Sequence, residues 1–346
     1  MNKKLLTLAV AAAMVAPLAV QAAGTGPTVY GVAHLAVETI DDDSTNVDSW
    51  RVNSRQSLFG IKGSEDLGNG LSAIYKMEFQ VDQDRTNDTT GYGLQDSNAG
   101  LSSRNQYVGL SHKNYGTLTL GRQDDVIKML TISRDMFNTK LGDWNEVQGA
   151  TGVDNMEEKG ADRQNNAILY KSPKFSGFEV AAMVAPGESA ADDGIADEFS
   201  SIGARYTNGP IYVAAGWEEY DNDNANNTNE EETWRLVASY DIAGFRLSGM
   251  YHETENVNLV NNIDAETWQL AASYTFGNTV VKGMWQEGEQ DVAAAADMEY
   301  EAFALGVDHN FSKRTQVYAV YTQTEDERSG SNNDTDAFGV GLKHKF

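Results

Sequence analysis

The sequence predicts an all-β fold: a transmembrane, antiparallel, up-and-down β-barrel of about sixteen strands, with its third long loop turned inward. Three observations carry this. From Thr28 onward the chain is a succession of short segments in which apolar and polar residues alternate, the period of a strand with two different faces. The connections between them alternate between short and long, so the chain runs up and down with turns at one end and loops at the other. The apolar face of the clearest segments is closed at both ends by aromatic residues, the arrangement of a lipid-facing strand held between two interfaces.

Composition permits a membrane without demanding helices. The chain has 32 Gly, 5 Pro, 15 Tyr and 6 Trp and a mean hydropathy of -0.47, so beyond the N-terminus no apolar run suits a spanning helix. A barrel strand needs only about 9 to 11 residues and shows every second one to lipid. With Cys 0, disulfides, thiolate chemistry and cysteine metal sites are excluded together, and a closed ladder must do the holding. At the N-terminus Lys3 and Lys4 precede an apolar stretch from Leu5 to Val20, and Val20-Gln21-Ala22 supplies small residues for signal peptidase. Residues 1–22 are therefore expected to be a cleaved signal peptide and 23–346 a single barrel domain. The formal charge of -25 becomes -27 without the two lysines, a balance that disfavours nucleic acid as a partner.

In order, the predicted strands cover about 28–38, 49–64, 69–82, 101–113, 116–123, 162–173, 176–184, 198–207, 210–219, 231–241, 244–254, 264–275, 279–288, 298–311, 314–325 and 334–346. Short turns such as Asp66 to Gly70, Asn208 to Pro210 and Ile242 to Gly244 join one end. At the other end lie acidic connections, about 39–48, 82–100, 124–161, 186–197, 221–230, 255–263, 289–297 and 326–334. An even count leaves both termini beside the turns. A repeat supports the regularity: Glu232 to Tyr240 returns as Glu266 to Tyr274, and Gly249-Met250-Tyr251 as Gly283-Met284-Trp285 at the same offset. The repeating unit is one hairpin.

Strand parity then separates lipid from lumen. Trp234, Leu236, Ala238 and Tyr240 share one face, opposite Thr233, Arg235, Val237 and Ser239. Phe338, Val340, Leu342, His344 and Phe346 repeat the pattern opposite Gly339, Gly341, Lys343 and Lys345. The charged face is assigned to the lumen. A soluble β-sandwich would alternate in the same way, but seldom keeps up-and-down order through so many strands. Around Arg104 to Leu110 neither face is cleanly apolar, so strands one to five are assigned to a subunit contact. The 124–161 connection is the longest segment without alternation, and a long connection of this kind needs a use.

Several stretches taken together resemble the general porins of Gram-negative outer membranes. They are Tyr30-Gly31-Val32, Phe59 to Leu71, Arg104 to Leu110, Gly116 to Gln123, Ser172 to Phe178 and the terminal Phe346, and the resemblance covers the whole mature chain. It implies a homotrimer of sixteen-stranded, water-filled channels in the outer membrane, among lipid and lipopolysaccharide, that pass small hydrophilic solutes and ions without cofactor or metal. It also implies that 124–161 is the constriction loop, whose acids face basic residues on the opposing wall. The matching wall positions are Lys62, Arg104 and Arg163; the loop acids are Asp124, Asp125, Asp135, Asp143 and Glu146. Where the family often has a further base on the second strand, this chain has Leu58, and Arg122 falls on the outward parity.

Charges of opposite sign across a narrow aqueous gap make a transverse field that orients polar solutes and penalises apolar ones. Over 124–161 the acids Asp124, Asp125, Asp135, Asp143, Glu146, Asp154, Glu157 and Glu158 outnumber Lys128, Arg134, Lys140 and Lys159, so a cation-preferring constriction is expected. Asp41-Asp42-Asp43, and Asp192, Asp193 and Asp197 with Glu198, could hold divalent cations, although no segment has the spaced calcium-loop pattern. Catalysis is disfavoured: His34, His112, His252, His309 and His344 are scattered, and neither HExxH nor GxSxG occurs. A substrate-specific channel for sugars or anions remains the main alternative, with an outer-membrane enzyme or adhesin behind it.

Overall fold

The computed structural model describes residues 26–42, 47–83, 101–144, 163–187, 198–221, 230–260, 263–291, 298–328 and 331–346. Strands β1 (Thr28–Asp42), β2 (Val47–Ser54), β3 (Leu58–Gly68), β4 (Leu71–Val81), β5 (Leu101–His112) and β6 (Gly116–Asp124) precede a short helix, α1 (Val126–Thr131). Then come β7 (Arg163–Lys171), β8 (Phe178–Ala185), β9 (Phe199–Asn208), β10 (Ile211–Tyr220), β11 (Glu231–Ile242) and β12 (Phe245–Glu255). The chain ends with β13 (Ala265–Phe276), β14 (Thr279–Gln290), β15 (Met298–Asn310), β16 (Thr315–Arg328) and β17 (Ser331–Lys345). No helix among the described residues is long and apolar enough to cross a membrane; strands make the crossing.

Every strand pairs antiparallel with its neighbours in a single sheet, and β1 meets β17 to close it. These seventeen segments form sixteen barrel strands, because β2 and β3 are two lengths of one. The upper half of β1 pairs with β2, from Leu35↔Ser54 to Asp42↔Val47, and its lower half with β3, from Thr28↔Lys62 to Val32↔Leu58. The unbroken strand expected over 49–64 is thus interrupted at Arg55 to Ser57. Gln56 takes a left-handed φ of 55° there, which lets Arg55 turn into the barrel. The break keeps its hydrogen bonds: the Arg55 N–H donates to the His34 carbonyl at 2.9 Å, and the His34 N–H donates to Ser57 Oγ at 2.9 Å. Its inward product is a buried, two-pronged pair, Arg55 Nε to Glu38 Oε1 at 2.5 Å and Nη2 to Oε2 at 2.7 Å.

The other boundaries lie close to those read from alternation, except at the loop end. There β1 continues to Asp42, β16 to Arg328, and β17 begins at Ser331. At the turn end Ala243 and Gly244 have φ of 50° and 88°, two left-handed residues in succession as a two-residue hairpin requires. The outward face is the assigned one: Trp234, Leu236 and Tyr240 on β11, and Phe338, Val340 and Leu342 on β17, are all exposed. Among the described residues the two larger clusters of buried side chains inside the barrel centre on Val126, Leu130 and Trp144 and on Phe137 and Leu141, with a small third at Tyr300. The two larger ones are built on the loop after β6, so the inward-folded loop supplies most of the apolar packing inside the barrel.

Candidate functional site

The loop after β6 starts with a cap. Asp125 holds extended backbone (φ -64°, ψ 172°) and its Oδ1 accepts from the Lys128 N–H at 2.6 Å, closing the first turn of α1. Burial pushes the Asp125 carboxyl up to about 6. α1 lays Val126, Ile127 and Leu130 on β9 and β10, where the wall has been cleared by glycine. A Cβ on Gly203 would lie 2.8 Å from Leu130 Cδ1, and one on Gly216 3.0 Å from Ile127 Cγ1. Tyr212 beside them donates its hydroxyl to the Leu130 carbonyl at 2.7 Å.

Beyond the helix the loop is fastened to β14, β15, β16 and β17. Asp135 Oδ1 accepts from the Phe137 N–H at 2.8 Å, a local turn that sends Phe137 under the Lys282 ammonium, 4.5 Å from the ring centroid. Burial raises the Asp135 carboxyl to about 6. Lys140 Nζ donates to Asp308 at 2.7 Å and to Gln316 at 2.9 Å, and Lys282 Nζ reaches the other Asp308 oxygen at 3.0 Å. One buried carboxylate thus serves two ammonium groups. Burial, then Lys282, pulls Lys140 down to about 7 against the opposing pull of Asp308. Asp143 Oδ2 accepts from the Thr139 N–H at 2.6 Å, and Lys343 Nζ donates to Thr139 Oγ1 at 2.9 Å. The described loop ends at Trp144, whose ring stacks on the Arg235 guanidinium at 3.9 Å and meets His252 edge-on.

These contacts leave the wall of β3 to β6 across the lumen. Lys62 and Lys76, directly paired on β3 and β4, both lie over the inward Tyr30 ring, at 4.9 and 6.0 Å. Glu78 takes Lys76 at 2.9 Å, Arg104 at 3.2 Å and the Tyr30 hydroxyl at 2.8 Å. Arg104 also donates to Gln80 at 3.0 Å. Arg163 Nε lies 3.0 Å from Asp124 Oδ1, an ion pair by distance without hydrogen-bond alignment, and Asn105 donates to the other Asp124 oxygen at 2.7 Å.

The expected residues therefore fall into two groups. Lys62, Arg104 and Arg163 stand on the wall opposite the loop, together with Lys76, which parity alone could have added. Asp124 belongs with them, as the last residue of β6 and partner of Arg163, because the strand runs one residue further than alternation suggested. Asp125, Asp135 and Asp143 are loop residues, but each accepts a backbone N–H of the loop itself. Glu146 lies outside the described residues, as do Asp43, Asp192, Asp193 and Asp197. Arg122 points outward and donates to the Arg163 carbonyl and Asn165. Near the loop end Glu219, Glu230 and Glu232 bring carboxylate oxygens within 4.8 Å of one another, with Glu230 exposed and the other two half-buried. The residues missed were the small ones under the loop: Gly203, Gly216, Gly306 and Gly339. Their signal was glycine on the inward parity in mid-strand.

A sequence profile described as Gram-negative porin matches residues 7–329. The chain belongs to the Gram-negative porins. It is a channel protein of the outer membrane and not an enzyme. Among curated relatives, this porin is 26% identical over 361 residues to the major outer membrane protein P.IB of Neisseria meningitidis serogroup B, covering all of both chains. It is 28% identical over 325 residues to outer membrane porin protein 32 of Delftia acidovorans, covering 92% of this chain and 88% of the other. Among solved structures, the anion-selective porin from Comamonas acidovorans superposes with a TM-score of 0.76 at 24% identity, covering 93% of this chain and 99% of that one.

Proposed function

We propose that this porin is a general diffusion channel, a homotrimer through which small hydrophilic solutes and ions pass passively. The observation that carries the reading is the use made of inward aromatics. Tyr212 is bonded to the loop, Tyr318 lies within hydrogen-bond distance of His34 Nε2 at 2.8 Å, and Tyr300 meets Thr267 and Gln286 at 3.0 Å each. They brace the wall and the loop instead of forming a track on which sugars could stack, which favours general over substrate-specific transport. We infer that the trimer contact lies on β5 and β6, where Val108, Leu110, Leu118 and Leu120 expose an apolar outward face. Export by residues 1–22, cleaved after Ala22, belongs to the same reading, and sequencing the mature N-terminus tests it.

For ion preference the described residues favour anions. Lys62, Lys76, Arg104 and Arg163 on the wall exceed Glu78 and Asp124, while Asp125, Asp135 and Asp143 are occupied by loop amides. The second reading is cation preference, supported by Glu146, Asp154, Glu157 and Glu158, which lie outside the described residues. Reversal potentials of the purified protein in planar bilayers under a salt gradient decide the sign. Failure to conduct would overturn the diffusion-channel reading itself.

A further inference from the structure

On the turn side of the constriction loop lies a second charged region, apart from the wall of Lys62, Arg104 and Arg163. Its centre is Arg134, on the loop just past α1. The guanidinium stacks on the inward Tyr212 ring at 4.2 Å and donates at 3.3 Å to the hydroxyls of Ser133 and Ser239. Among the described residues no carboxylate lies within ion-pair distance of it. Arg246 and Arg205 are the cations that face it from β12 and β9. Arg246 is held by Asp241 at 2.7 and 3.0 Å and Arg205 by Glu179 at 2.5 Å, yet their side chains remain 38% and 35% exposed to the lumen. A cavity of about 530 Å³ opens between the loop and the hairpin turn, lined by the bases Arg246 and Lys282 and by the acids Asp135, Asp241 and Asp308.

We infer that Arg134, with Arg246 and the hydroxyls of Ser133 and Ser239, forms a subsite for a small oxyanion, a carboxylate or a phosphate, on the periplasmic side of the constriction. Three features support it. A guanidinium offers donors in a fixed fork matched to two oxygens of such a group, and among the described residues those of Arg134 meet only the Ser133 and Ser239 hydroxyls at a long 3.3 Å. Arg134 and Arg246 repel one another across the site, and burial adds to the cost of the Arg134 charge; a bound anion relieves both. Arg246 lines the cavity on the side of the short turns, which face the periplasm, so an anion leaving the constriction meets this arginine there. Lys282 and Asp308 are spoken for by the loop anchor and contribute field only.

The inference rests on the porin being an open solute channel, and the test separates the two. Single-channel chloride currents are recorded in planar bilayers while citrate or inorganic phosphate is added to the side of the short turns. The expected result is a concentration-dependent reduction of current, weakened about tenfold in Arg134→Gln and strengthened in Asp241→Asn, which removes the competing carboxylate from Arg246. The two variants act in opposite directions, so a general loss of folding cannot imitate the pattern. Reduction by citrate alone assigns the site to carboxylates, and by phosphate alone to phosphates. Wild-type chloride currents unaffected by either anion, or affected equally in both variants, overturn the subsite while the channel reading stands. Absence of channels overturns both.

Discussion

Glu38 and Arg55 form a deeply buried ion pair inside the barrel. Both are buried, with side chains 1% and 4% exposed, so removing one partner strands the other's charge in a site with little water. Arg55→Ala is expected to destabilise the barrel by roughly 3–5 kcal/mol, read as a lower midpoint of denaturant unfolding in detergent. Sequence parity could not have found this pair, because it exists only where Gln56 breaks the strand and shifts the phase of β3 against β2. Asp125 works on a smaller scale. Its loss in Asp125→Ala removes the cap of α1 and should cost about 1 kcal/mol of local opening free energy, measured by hydrogen exchange of the amides in 126–131. Its pH dependence has a definite sign. A carboxyl raised to about 6 when folded binds protons that the open chain releases, so its stabilising contribution is full below its ordinary range and is lost as pH rises through 6. Protection of α1 should therefore be greater near pH 5 than at neutrality, and Asp125→Asn should flatten that difference.

The inward-folded loop after β6 is held by shape as much as by charge. Inward glycines let it lie close: a Cβ on Gly306 would meet Phe137 at 2.9 Å, and one on Gly339 would meet Leu141 at 2.9 Å. Gly203→Val should lift α1 off the wall into the lumen, lowering single-channel conductance and excluding the larger solutes that the wild type admits in liposome swelling. At the far anchor Asp308→Asn leaves Lys140 and Lys282 without their shared carboxylate. The loop should then fluctuate more, seen as added open-channel noise with the mean barrel stability little changed. The loop's existence and its place in the order of connections were legible, since it is the longest segment without alternation. Its docking was not, because one inward glycine reads the same whether it faces water or another segment.

Taken as a whole, the barrel depends on its seam. β1 and β17 pair from Val32↔Lys345 to Asp42↔Thr335, and Gly31 and Phe346 exchange backbone hydrogen bonds at 3.0 and 3.1 Å. The Phe346 ring covers Gly31 so closely that a Cβ there would be 2.3 Å from Cζ. Deleting Phe346 opens the end of the ladder and should lower the temperature at which the folded species unfolds on semi-denaturing gels. Ion selectivity is also a property of the whole barrel, because it sums over both sides of the lumen. Arg104→Gln with Arg163→Gln should move the reversal potential toward cations, whichever sign the wild type shows.

The order of residues alone specifies the architecture: strand number, direction, the lipid face and the position of the long loop all come from a period of two and from where turns fall. Such patterns are local, and a closed antiparallel ladder is the one structure that satisfies them in a bilayer. The partners of the charges are set only in the folded barrel. Asp124 joins Arg163, Asp125, Asp135 and Asp143 turn to amides of their own loop, and Arg134 comes to face Arg246, because those encounters depend on bulges that reset parity and on a loop whose path is shaped by glycines far away in sequence.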